Sequence, residues 1–100
     1  MKRTAATRAR YTIVQIEHDA LLLEDTGDGA LSVTNDAENV IADLAEKNLL
    51  CNPSGQLRRV AYRDSMGYWD ELLHDGSQFM GFSMLRMHTQ QGAIKALREP

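Results

Sequence analysis

The sequence predicts a single α+β domain: an antiparallel sheet of hairpins and a meander, packed by one long helix and a short C-terminal helix. Three observations carry that expectation. Short apolar and β-branched runs are separated by turn signals at Tyr11–Ile16, at Ala20–Glu24 and again through Leu57–Leu85. One stretch, Asp36 to Lys47, switches to helical spacing. The chain has 100 residues, 43% of them hydrophobic and 25% charged, which suits one globular domain with one core.

Tyr11–Ile16 (YTIVQI) is expected to be the first strand, with a turn at His18-Asp19. Ala20–Glu24 (ALLLE) is the second apolar run, and Asp25-Thr26-Gly27-Asp28-Gly29 is a loop signal. Leu31, Ser32 and Val33 are expected to form a short third strand. Because these segments are short and close together, hairpin pairing is favoured over crossover connections. The helix over Asp36–Lys47 starts from Asn35 as N-cap, with Glu38 three residues on completing a capping box. Ala37, Val40, Ile41, Leu44 and Ala45 form its buried stripe, and Asn48 closes it in the left-handed conformation with Leu49 packing back. Cys51–Gly55 is a loop. Thr89 caps a final helix over Gln90–Arg98, with Ala93, Ile94 and Leu97 inward and Gly92 weakening its start.

The stretch from Leu57 to Leu85 holds the only Trp, both Phe and two of the three Tyr. Asp64-Ser65-Met66-Gly67 fits a three-residue hairpin loop, which sets Arg63 opposite Trp69, Tyr62 opposite Asp70 and Val60 opposite Leu72. Asp75-Gly76 suits a two-residue turn between His74 and Ser77, setting Leu72 opposite Phe79, Glu71 opposite Met80 and Trp69 opposite Phe82. Alternation then sorts two faces. Val60, Tyr62, Leu72 and Phe79, with Asp70 and His74 among them, are expected in the core under the helix. Arg59, Arg63, Trp69, Glu71, Leu73, Met80 and Phe82 are expected on the other face, with Trp69 half-exposed. A competing reading makes Tyr68–Asp75 a helix stopped by Gly76.

Charge is unevenly spread. Residues 1–10 carry Lys2, Arg3, Arg8 and Arg10 and no acid, and are expected to be a flexible basic arm ahead of a domain spanning 11–100. Residues 11–49 carry nine acids against Lys47 alone, and the whole chain has a net charge of −3. A basic arm fits nucleic-acid contact, joined by Arg58, Arg59 and Arg63, but the acidic first half repels a phosphate backbone. With one cysteine, Cys51, an internal disulfide is excluded and a reducing cytoplasm is the simplest compartment. No apolar run is long enough for a membrane span or a signal-peptide core.

No catalytic or cofactor motif is present, and no cofactor or metal is expected. His18-Asp19 and His74-Asp75 pair imidazole with carboxylate, as acid–base chemistry and metal sites do, but both sit at expected turns and lack metal-ligand spacing. Asp70, His74 and Asp75 are the polar-site candidates for a small hydrolase or metal-dependent enzyme, Asp70 because it lies beside Tyr62 in an inward position. Met66, Met80, Met84 and Met87 cluster near the meander, either as core filler or as an adaptable binding surface. Arg59, Arg63, Trp69, Glu71 and Phe82 are the interface candidates, since Trp and Arg dominate binding hot spots.

The phrases SVTNDAENVIADL and RRVAYRDSMGYWDELLHDGSQFMGF resemble a group of small uncharacterised bacterial proteins found on integrative or plasmid-borne elements. The likeness covers roughly Ala20 to Leu85. It implies a bacterial cytoplasmic accessory protein rather than a metabolic enzyme and carries no residue roles. The function read from the residues is therefore non-catalytic interaction, with a protein partner or with itself, through the meander face.

Overall fold

In the computed structural model, which describes residues 11–25 and 33–99, the chain is α+β with a five-stranded, mostly antiparallel mixed sheet and two helices. The strands are β1 (Tyr11–Ile16), β2 (Ala20–Asp25), β3 (Arg59–Arg63), β4 (Trp69–His74) and β5 (Phe79–Met87). The helices are α1 (Ala37–Glu46) and α2 (Gln90–Arg98). The expected arm over residues 1–10, most of the glycine loop, and Leu31 and Ser32 of the expected third strand lie outside the described residues. Val33, the last residue of that expected strand, is buried in a turn leading to α1.

The sheet order is β1-β2-β3-β4-β5. β1 and β2 form the expected hairpin, but β2 and β3 pair in parallel, with Leu21 beside Val60 and Leu23 beside Tyr62. A parallel pair needs a crossover, and α1 supplies it. The expectation of hairpins throughout is therefore corrected at this one junction.

The parallel junction sits mid-sheet and is covered on both sides. Leu21 and Leu23 face α1 together with Val60, Tyr62 and Leu72, against Val40, Ile41 and Leu44. Ala20, Leu22 and Ala61 face the other way, against Ala93 and Leu97 of α2. Strands buried on both faces read as unbroken apolar runs, which is why ALLL does not alternate. Each fully buried leucine in that run contributes on the order of 1.5–3 kcal/mol relative to exposure.

Helix α1 begins one residue later than expected, with Asp36 rather than Asn35 at its N-cap. Asp36 accepts from the Asn39 side-chain amide, and its carbonyl takes the first helical bond from Val40 at 3.0 Å. The C-terminal end is as expected. Asn48 has φ +57°, its N–H reaches the Ala45 carbonyl at 3.1 Å, and Leu49 N–H reaches Leu44 at 3.0 Å. At α2, the Thr89 hydroxyl accepts from Gly92 N–H at 3.0 Å, Ala93 and Leu97 are buried, and Ile94 is half-buried against them.

The β3–β4 hairpin has the expected register, Arg63 opposite Trp69 and Val60 opposite Leu72, so Tyr68–Asp75 is not a helix. Its loop closes through Asp64, whose carboxylate accepts from Met66 and Tyr68 N–H at 2.9 and 3.0 Å. The β4–β5 register differs from expectation. The turn is centred on Gly76-Ser77, with Asp75 N–H bonded to the Gln78 carbonyl at 3.3 Å. Positive φ at Gly76 but not Ser77 matches a type II′ turn, in which glycine takes the first central position. Two register shifts follow, so His74 faces Phe79, Leu72 faces Phe82 and Trp69 faces Met87.

Candidate interaction surface

The first correction concerns Trp69. It is 4% exposed, packed with Leu22, Ala61, Ala93 and Leu97 beneath α2. Alanines at 20, 61 and 93 leave room for the indole between sheet and helix. The expected half-exposed Trp face is thus a second core layer, and no docking surface is centred there.

Arg59 and Glu71 lie on the same covered face and explain how α2 is held. Arg59 Nε and Nη2 donate to the two Glu71 carboxylate oxygens at 2.8 and 2.7 Å, a two-pronged pair around a carboxylate that is buried. The remaining prong, Nη1, donates to the carbonyls of Leu97 and Glu99, both at 3.0 Å. These are carbonyls that the end of α2 leaves without helical partners. The hydrogen bond to Glu71 raises the Arg59 pKa, against the opposing effect of burial. Arg63 stays at the surface, 3.7 Å from Glu24.

Arg58 is buried, and its guanidinium donates to the carbonyls of Glu17, Leu49 and Cys51 at 2.8, 3.2 and 3.1 Å. It ties the β1–β2 turn to the loop after α1. The Arg58 guanidinium is thus buried and spent on backbone carbonyls, and that of Arg59, its side chain 40% exposed, is paired with Glu71.

The polar-site candidates are occupied locally. Asp70 accepts Leu85 and Arg86 N–H, both at 3.1 Å, where β5 bulges and Arg86 adopts φ +53°. His74 Nδ1 accepts Gly76 N–H at 2.9 Å while its Nε2 reaches the Arg58 carbonyl at 2.6 Å, which fixes the Nε2–H tautomer. Asp75 accepts from Ser77 and Gln78, and those bonds hold its carboxyl below the usual carboxylate range. Asp70 thus pins the open end of the β4–β5 hairpin, while His74 and Asp75 pin its turn. Among the described residues no three His, Cys, Asp or Glu side chains gather as metal ligands. A shallow groove along α2 is lined by Glu17, Gln91, Ile94, Lys95, Arg98 and Glu99, and Arg98 is already paired with Glu17 at 2.8 Å and Asp19 at 3.2 Å.

What the structure leaves open is the far edge of the sheet. β5 has nine residues, has a neighbouring strand on one side only among the described residues, and exposes Met80 at 62%, Phe82 at 45% and Met84 at 73%. Phe82 was expected beside Trp69 but lies on the opposite face. Its ring centroid is 4.9 Å from that of Phe79 and 6.0 Å from that of Tyr62. The reason is the bulge between Phe79 and Gly81, which adds one residue and reverses the alternation beyond it. The signal for this surface in the sequence is the cluster of methionines. Met80 and Met84 prove exposed, while Met87 packs under α2.

Comparisons with protein-family models, curated proteins and solved structures gave no match. The site therefore rests on its own residues.

Proposed function

We propose that this protein is a small non-catalytic interaction module, an accessory protein that binds a protein partner or itself through the face and free edge of β5. One observation carries the reading: Met80, Phe82 and Met84 stand exposed on a strand that, among the described residues, has a partner strand on one side only. Large apolar side chains grouped at an edge mark contact sites; chains blunt such an edge with charge, proline or bulges, and the bulges of β5 lie towards its two ends. β5 has one charged residue, Arg86, and no proline. Flexible methionines around an aromatic ring adapt to a partner's shape. Among the described residues no helix is long and apolar enough to cross a membrane. A bacterial cytoplasm and carriage on a mobile element belong to the same proposal, resting on the lone cysteine and on the resemblance.

The test is photo-crosslinking in living cells, with a photoreactive amino acid placed at position 84 or, as control, at exposed position 95 on α2. Protein adducts at 84 and few or none at 95 are expected. Equal adducts at the two positions, or none at 84, would refute an interaction through β5.

A further inference from the structure

We propose that the occupant of the β5 edge is β5 of a second copy of this chain, paired antiparallel about Phe82. This deepens the interaction role and rests on it. An edge strand presents a row of backbone N–H and C=O groups, and the occupant that satisfies such a row is another extended strand. Residues directly opposite in an antiparallel pair share a face. A twofold axis at Phe82 therefore sets Phe82 against Phe82, Met80 against Met84 and Met84 against Met80 of the second copy. Every exposed apolar side chain of the strand then meets an apolar one.

Charge selects the same arrangement. Arg86 is the one charged residue of β5, and no acid lies on the strand. In the antiparallel pair the two Arg86 lie roughly 26 Å apart, at about 3.3 Å per residue, well beyond the ~8 Å screening length of physiological salt. Each Arg86 comes instead to Gln78 of the second copy, at the turn where Asp75 is exposed and accepts the Gln78 N–H at 2.8 Å. A parallel in-register pair would place Arg86 directly against Arg86. Pairing β5 with the other sheet edge, β1, would not close on itself and would build open chains.

The bulges next to Gly81 and at Arg86 bend the strand and confine regular pairing to its middle. So short a contact falls below the ~1,200 Å² of a standard interface, and the dimer it makes is weak and concentration-dependent.

The experiment is sedimentation velocity on the full chain from micromolar to millimolar concentration. The mass is expected to rise from 11.2 kDa towards twice that value. Met84→Lys, at a position 73% exposed, is expected to weaken association tenfold or more while circular dichroism stays unchanged. Ile16→Lys, on the other edge, is expected to leave association as it was. Chains carrying Met80→Cys and Met84→Cys, each with Cys51→Ser, are expected to form a disulfide with each other when mixed and not alone. A monomer at all concentrations, a dimer indifferent to Met84→Lys, or growth beyond two copies each overturns the proposal. A monomer that still takes protein adducts at position 84 in cells removes the second copy and keeps the interaction role. A monomer without adducts removes both.

Discussion

At the scale of single residues, the Arg59–Glu71 pair gives an asymmetric expectation. Glu71 is buried, with its side chain 4% exposed, whereas that of Arg59 is 40% exposed. Removing Arg59 strands a buried carboxylate and the C-terminal carbonyls of α2, so Arg59→Ala is expected to cost about 3–5 kcal/mol. Removing Glu71 leaves an arginine that can turn to water, so Glu71→Ala is expected to cost less, about 2 kcal/mol. Urea titration of both variants checks the order, and equal costs would deny the clamp. Tyr62 gives a second expectation, from pH. Its pKa is raised, chiefly by burial, with nearby Asp70, Asp64 and Asp25 adding to the effect. The folded protein thus holds the phenolic proton more tightly than the unfolded chain does. That stability is fully present below the ordinary tyrosine pKa of about 10 and is lost as pH rises from there through the higher folded value. Melting temperatures across that range should fall for the native chain and fall less for Tyr62→Phe. Of these residues, the Tyr62 position was legible from the hairpin register alone. The burial of Trp69 was not, because a half-strand pattern of Arg, Trp and Glu looks the same under a helix as in water.

At the scale of elements, the helices show how far local spacing reaches. The buried stripe of α1, its Asn48 closure and the Thr89 cap of α2 all depend on residues within a few positions of one another, and each was legible. The α1 start was not, since Asn35 and Asp36 both have capping side chains and their local sequence does not choose between them. The β4–β5 register failed for a related reason. Asp-Gly favours one turn and Gly-Ser the next, and a shift of one residue moves every partner along the strands. Gly92 supplies the test at this scale. Glycine inside a helix normally costs about 1 kcal/mol relative to alanine. A Cβ at 92 would stand 2.9 Å from the Thr89 hydroxyl that caps the helix, so the cap must rotate away. Gly92→Ala is therefore expected to gain nothing or to lose up to about 1 kcal/mol, the worth of a cap. In a Thr89→Ala background the same substitution should stabilise. Thermal melts of the four chains settle it.

At the scale of the whole molecule, the sheet is two locally wired pieces, the β1–β2 hairpin and the β3–β4–β5 meander, joined along the parallel β2–β3 pair. The pieces were legible because their turns lie in sequence between their strands. The join was not, since nothing local announces that Leu22 will lie beside Ala61. The apolar run at Ala20–Leu23 was the available sign: a strand without alternation needs cover on both faces, and that cover is what hides Trp69. The join also orders events in time. Each hairpin can close over a few residues, but the β2–β3 seam must bring together segments nearly forty positions apart, with α1 laid across them, before any contact repays the lost chain entropy. Leu22→Ala and Val60→Ala, at the seam, are expected to slow refolding severalfold. Leu97→Ala, in the last helix to dock, is expected mainly to hasten unfolding. Denaturant-dependent folding and unfolding rates separate the two patterns. Until the seam closes, the meander carries two open edges, β3 and β5, so the bulges at Gly81 and Arg86 act as brakes on mispairing while the chain is still unfinished.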